Sequence, residues 1–303
     1  MLIDIHCHAS LATGLCRPNG TRFPTPAELV GMLDQAGIDR AVVLAIVNPE
    51  SRFTFVPPQE VAQICSFYPA RLIPFCSLDP RMLTHSPQAD FRPMLNYFKE
   101  AGFKGVGEYM PNLPFDDPLN WNVFRQVEEV GFPLIFHASA VLGGYYGCYD
   151  SLGLPGLEKV LKAFPRLILL GHSQVFWSEI GADVTVQNRS GYPAGRVTPG
   201  RLVELMRTYP NLYGDLSAGS GFNAITRDPE FGCAFLEQFQ DRLCFGTDIS
   251  APGQTPPHVV FFRKLREDRL ISETAYEKIA WRNAARLLHL EEAAAPESRT
   301  SAP

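Results

Sequence analysis

No stretch of this 303-residue chain is apolar for anything near the roughly 20 residues that a membrane span requires, so a membrane-spanning protein is not expected. The sequence has no G-x-G-x-x-G or G-x-x-x-x-G-K run after any apolar segment, which removes the usual nucleotide-binding turns of an open doubly wound sheet. It has no C-x-x-C pair. Its seven cysteines are scattered and odd in number, so neither a disulfide framework nor a zinc ribbon is indicated. Basic residues are in the minority, with 27 Lys and Arg against 32 Asp and Glu, and a net charge of -5 supplies no basic stripe for nucleic acid. A small-molecule substrate is the expected partner, with no nucleic acid and no membrane, and a homo-oligomer is compatible with this composition. The chain enters an apolar strand at once with MLIDIHCH and shows no leader segment, so a cytoplasmic location is expected.

Against these absences stand eight short apolar runs, each bounded by turn residues. They lie at 2–8, 38–45, 71–77, 103–108, 133–138, 167–172, 211–217 and 243–248. Several are apolar almost throughout rather than alternating, as strands covered on both faces should be. Amphipathic stretches separate them. Thr25-Pro26-Ala27-Glu28 reads as a capping box with proline at the first helical position, followed by Leu29, Met32, Leu33 and Ala36 at helical spacing and Gly37 as the stop. Asp117-Pro118, Thr198-Pro199 and Asp228-Pro229 read as further helix starts. A last helix over 273–289 puts Tyr276, Ile279, Ala280, Asn283, Ala284, Leu287 and Leu288 on one stripe, expected to complete the outer layer. Strand followed by helix, about eight times over one chain of this length, specifies a single-domain (β/α)₈ TIM barrel over 1–290. The tail at 291–303, rich in small and polar residues, reads as disordered.

In such a barrel the C-terminal ends of the strands converge on one mouth, where catalytic groups collect. His6 and His8 stand two apart in the first strand, so a period of two sends both imidazoles to one side and Cys7 to the other. Other strands finish in Glu108, His137, His172 and Asp248. Four of the chain's seven histidines thus fall at strand ends, and buried imidazoles without partners are costly. A divalent-metal site accounts for them.

These motifs, Asp4-x-His6-x-His8, the strand-terminal His137 and His172, Gly246-Thr247-Asp248 and the closing Asn283-Ala284-Ala285-Arg286-Leu287, resemble the amidohydrolase superfamily. Within it the chain is similar to the amidohydrolase-2 group of TIM-barrel, metal-dependent hydrolases and decarboxylases. The resemblance implies a metal held by His6, His8, His137 and Asp248, with His172 beside it as ligand or substrate contact. Zn²⁺ is the first expectation and Mn²⁺ the second. Such a donor set leaves a position open for water, whose pKa bound Zn²⁺ lowers to about 7. Asp248 then accepts the water's proton and returns it to the leaving group, and His172 polarises the substrate oxygen. Two-metal members of the superfamily carry a bridging acid on the fourth strand, where this chain has Glu108, so one ion or two are both open. Asp215 is read as structural, with Ser217 and Ser220 near the mouth.

Loops after the strands should recognise the substrate. The candidates are Tyr145 and Tyr146 after strand five, and Trp177, Arg189, Tyr192 and Arg196 after strand six; paired arginines would suit a carboxylate. His85, His258 and His289 are expected at the surface. The leading expectation is hydrolysis of a C–N or C–O bond in an amide, lactone or ester. The alternatives are non-oxidative decarboxylation of an aromatic or unsaturated acid, and a TatD-like phosphodiesterase.

Overall fold

A computed structural model describes residues 1–290 apart from positions 15, 18, 52 and 53; the tail expected to be disordered lies outside the described residues. Each of the eight apolar runs supplies a strand, the fourth and fifth running one residue past the expected end: Ile3–Cys7, Arg40–Val43, Leu72–Pro74, Val106–Tyr109, Leu134–Ser139, Leu169–His172, Leu212–Asp215 and Leu243–Cys244. They are called the first to eighth strands below. A two-residue strand, Cys148–Tyr149, pairs with the fifth strand outside this order.

The first three strands form one parallel ladder and the last five another. Two seams join them into a ring. At one, Cys76 bridges Val106 in parallel and the Gly107 N–H donates to the Cys76 carbonyl at 2.7 Å. At the other, Cys7 bridges Ile249, the Asp248 N–H donates to the His6 carbonyl at 2.9 Å, and the His8 N–H donates to Ile249 at 2.8 Å. The chain is therefore a (β/α)₈ TIM barrel in one domain.

Local chemistry sets most of the helix ends. Thr25 and Glu28 form the expected reciprocal capping box of Pro26–Ala36, and Gly37 ends that helix in the left-handed region at φ 71°, where a side chain would be penalised. Asp117 caps Pro118–Val130 and Asp228 caps Pro229–Gln238 through side-chain oxygens. The start expected at Thr198-Pro199 falls two residues later, at Arg201–Thr208. Pro199 is drawn instead into an antiparallel bridge with Gly181, and the Ala182 N–H donates to the Thr198 carbonyl at 2.8 Å.

The last helix departs from expectation in its role. It runs as Glu273–Glu277, a wider π turn at Lys278–Arg282, and Asn283–Leu287. Beyond the π turn it crosses the N-terminal end of the barrel instead of completing the outer layer. Its Ala284 and Leu288 pack with Ile3, Ile5, Val42, Leu44, Ile73 and Phe75. Asn283 fixes the crossing by donating to the carbonyls of Gln240 and Leu243 at 2.7 and 2.8 Å. These inward residues form an apolar floor. A second, larger core of outward strand residues such as Ala41, Val43, Leu134, Phe136 and Leu212 lies beneath the helices, which is why the strands read as apolar on both faces.

Candidate metal centre

The first strand changes register between Asp4 and Cys7. Ile3 and Ile5 belong to the floor, yet His6 and His8 also turn inward, a change of parity that an irregularity of one residue supplies. Asp4 anchors it. Its Oδ1 accepts the N–H groups of His6 and Thr247, each at 3.0 Å, and its Oδ2 accepts the Thr247 hydroxyl at 2.5 Å and the Cys7 thiol at 3.2 Å. Burial pushes the Asp4 carboxyl up to about 6 against the pull of these donors. Asp4 thus joins the first strand to the turn that carries Asp248.

Above that staple, donor atoms converge. His6 Nε2 lies 3.1 Å from His8 Nε2, 3.7 Å from Asp248 Oδ1 and 3.8 Å from Glu108 Oε2. His8 Nε2 lies 3.5 Å from Asp248 Oδ1 and 3.6 Å from Glu108 Oε2. The other Glu108 oxygen, Oε1, accepts from His137 Nδ1 at 2.7 Å and lies 3.9 Å from His172 Nε2. Glu108 accordingly stands between two groups, His6, His8 and Asp248 on one side and His137 and His172 on the other. Asp248 reaches the mouth from the left-handed region, at φ 59°, a conformation that aspartate tolerates better than most residues.

Asp215, fully buried on the seventh strand, lies beneath two of these rings. Its Oδ2 is 2.6 Å from His6 Nδ1 and 3.3 Å from His172 Nδ1. A carboxylate only accepts, so it favours the proton on Nδ1 of both rings, and in their neutral forms both Nε2 atoms are bare. His6, Glu108 and Asp248 then present lone pairs toward one point. Facing acceptors within 4 Å repel unless a cation lies among them, and the donor set of imidazole and carboxylate fits a divalent metal.

The charges respond to this crowding. Burial works to lower the pKa of His6, but Asp215, Asp248 and Glu108 carry it up to about 10, so that with no cation in the cradle the ring takes a second proton on Nε2, the place a bound ion would fill. Burial and neighbouring His6 bring His8 down to about 3. Burial works to raise Glu108, yet its bond to His137 holds it below the usual carboxylate range, and His6 and His172 do the same for Asp215. Asp248 moves up, burial outweighing the attraction of His6 and His172.

The pocket above has a volume of about 140 Å³. Tyr146 lines it, with its ring 4.7 Å from that of His137, and Tyr145 stacks on Tyr146 at 4.6 Å. The turn that delivers them ends at Gly147, φ 104°, where a Cβ would lie 2.8 Å from the His137 ring; only glycine fits there. The other loop candidates are elsewhere. Trp177 is buried under the seventh strand, donating to the Asp215 carbonyl at 2.9 Å. Arg189 is buried against Glu179 at 3.4 Å and donates to the Asp150 carbonyl at 3.1 Å. Arg196 is exposed, and Tyr192 lies over Gly219. His85 and His289 are at the surface, but His258 is buried, because its imidazole finds a partner in the Ala218 carbonyl.

Several residues lining the pocket are not legible as candidates in the sequence, and the one that carries charge is an arginine. Arg17, in the loop after the first strand, lines the cavity with Phe23, Ile46 and Met110. Its guanidinium lies 4.7 Å from the Phe23 ring centre and donates to the Ser250 carbonyl at 2.6 Å, while its buried Nε has no partner among the described residues. The signal was present, since every loop after a barrel strand borders the mouth.

Residues 3–290 match the family model described as amidohydrolase. No curated protein matches the sequence. Among solved structures the chain is similar to an uncharacterized TIM-barrel protein from Bordetella bronchiseptica, with 21% identity, 95% of this chain and 98% of that chain covered, and a TM-score of 0.64. It is also similar to 5-carboxyvanillate decarboxylase from Sphingomonas paucimobilis, at 16% identity, 95% and 98% coverage and a TM-score of 0.58. A probable 2-pyrone-4,6-dicarboxylic acid hydrolase from Acinetobacter baumannii matches at 13% identity, 95% and 99% coverage and a TM-score of 0.57. At these identities the structures speak for the fold.

Proposed function

This chain belongs to the amidohydrolase family, whose members are enzymes, and on that premise we propose that it is a metal-dependent hydrolase of a small, carboxylate-bearing molecule, cleaving a C–O or C–N bond such as that of a lactone, ester or amide. One observation carries the reading: His6 Nε2, His8 Nε2, Asp248 Oδ1 and Glu108 Oε2 face one another across 3.1 to 3.8 Å, and His8, Glu108 and Asp248 line the cavity at the mouth.

Those four residues would hold a divalent ion, Zn²⁺ first and Mn²⁺ second, and Glu108 Oε1 with His137 and His172 would hold a second where two are bound. A bound divalent ion supplies the acidity that makes water a nucleophile at neutral pH. The chain's residues divide the remaining work. Asp248, at the mouth, accepts the attacking water's proton and returns it to the leaving group. Asp215 orients His6 and His172 by their Nδ1 protons. With Nε2 bare, a neutral His172 serves as a ligand, and only its imidazolium form could donate to a substrate oxygen. Arg17, which lines the cavity, offers its guanidinium charge to an anionic group of the substrate, and Tyr146 forms an aromatic wall.

The same cradle serves non-oxidative decarboxylation, and Arg17 favours that second reading as well, because a carboxylate held beside the ion is the group such a reaction loses. Proton balance separates the two. Ester or lactone hydrolysis releases a proton near neutral pH, whereas loss of CO₂ from a carboxylate takes one up at carbon. Protein reloaded with Zn²⁺ or Mn²⁺ is to be tested against pyrone and lactone carboxylates, hydroxylated aromatic acids and short DNA, following pH-indicator drift and evolved CO₂. Acidification supports the hydrolase; CO₂ with alkalinisation replaces it by a decarboxylase; DNA cleavage alone replaces both by a phosphodiesterase. Elemental analysis adds the ion count: two ions falling to one in Glu108→Ala would establish the bridge, and no ion after reloading would end the metal reading.

A further inference from the structure

His258 opens the helix His258–Glu267 and lines none of the cavity at the mouth. The residue is nevertheless only 2% exposed, its ring packed edge-on to that of Phe222 at 5.2 Å. Nε2 lies 2.9 Å from the Ala218 carbonyl oxygen. A carbonyl only accepts, so Nε2 carries the proton, and Nδ1 has no partner among the described residues. A buried imidazole with one satisfied nitrogen is an expensive way to fill space. Its one bond goes to a particular place.

Ala218 is in the left-handed region at φ 57°, which an alanine does not choose on its own. The strained residue ends a short turn that carries Asp215 and Ser217, closed by the Ser217 N–H donating to Asp215 Oδ1 at 3.0 Å. The Ala218 N–H reaches the Thr247 carbonyl at 3.4 Å, next to Asp248. Ser217 Oγ then stands 3.1 Å from His172 Nδ1, beside Asp215 Oδ2 at 3.3 Å. The Asp215 oxygen only accepts and so favours the proton on His172 Nδ1, and Ser217 Oγ is placed to accept that same proton. A turn free to relax to ordinary φ would carry Ser217 away.

We infer that His258 is a positioning residue: by donating from Nε2 to the Ala218 carbonyl it holds the left-handed turn that keeps Ser217 against His172 Nδ1, so that His172 presents a bare Nε2 to the pocket. The inference rests on His172 belonging to the centre proposed above, but its test needs neither substrate nor metal.

The full chain, labelled with ¹⁵N at histidine and freed of metal by chelation, is to be examined by long-range ¹H–¹⁵N correlation, with His172 assigned from His172→Gln. The wild type should show His172 protonated at Nδ1. His258→Leu should raise the other tautomer of His172 roughly three- to tenfold, the weight of a single hydrogen bond. His258→Gln, whose amide N–H has similar reach, should keep the wild-type ratio, and Ser217→Ala should shift it as His258→Leu does. A folded His258→Leu with the wild-type ratio overturns the inference, as does His258→Gln behaving like His258→Leu. Should His258→Leu not fold, Ser217→Ala decides, an unchanged His172 there being equally fatal. The expected shift in a protein that binds no metal would leave this inference standing and remove the proposed function.

Discussion

At the floor of the barrel Ile3, Ile5, Val42, Leu44, Ile73 and Phe75 close on Ala284 and Leu288, while a few residues further along the same ring His6, His8, Glu108, His137 and His172 occupy the mouth. The strand backbones are continuous between the two ends. What differs is the partner available to an inward side chain: at the floor another apolar group, at the mouth a lone pair or a proton. Stability and chemistry are therefore written in separate lengths of each strand, and substitutions should separate them too.

The largest effect is expected at the floor. Phe75→Ala removes a fully buried ring and should cost about 3–5 kcal/mol in urea denaturation, leaving the metal content of the folded fraction unchanged. A cost near that of a surface change would mean the floor is not where stability resides. At the mouth, Asp215→Asn keeps the shape of the side chain but removes the charge under His6 and His172. It should weaken Zn²⁺ binding roughly 10- to 100-fold, measured by competition with a chromophoric chelator; equal binding would confine Asp215 to a structural part. Next, Arg17→Met should raise KM for an anionic substrate on the order of tenfold with kcat little changed, and a fall in kcat alone would deny Arg17 a binding role. The smallest effect at neutral pH concerns His258. Burial lowers its pKa to about 4 from an ordinary 6.5, against the pull of the Ala218 carbonyl, Asp215 and the Leu216 carbonyl. Between those values the unfolded chain binds a proton that the folded chain refuses, so the stabilisation is complete above 6.5 and is lost as pH falls toward 4. Wild-type stability should drop by up to about 1.4 kcal/mol per pH unit more steeply than that of His258→Gln in that window, as followed by denaturant midpoints.

The floor was the more legible end. Apolar runs bounded by turn residues announced all eight strands, and Thr25, Asp117 and Asp228 announced three helices, because caps and runs are local signals. The function of the last helix was not legible: its stripe of Tyr276, Ile279 and Ala280 is the same whether it packs outside the barrel or, after a π turn, beneath it. At the mouth the strand-end histidines and acids that the structure brings together could be read from position. The loop residues could not, since Trp177 and Arg189 look as exposed in sequence as Tyr146 does, and only the path of the chain decides which are buried. Asp215 and His258 were underrated for a related reason: each acts through a residue more than thirty positions away.

Asp4 ties the first strand to Thr247, and His6 faces Asp248, so the cradle is assembled from the opposite extremes of the barrel. During synthesis from the N-terminus, the earliest donors wait for about four-fifths of the chain to emerge before the last carboxylate can join them. Completion of the donor set and closure of the ring then become a single late event. A chain cut short before Thr247 would lack both the partner that anchors Asp4 and the carboxylate that faces His6, and its first strand would stand unclosed.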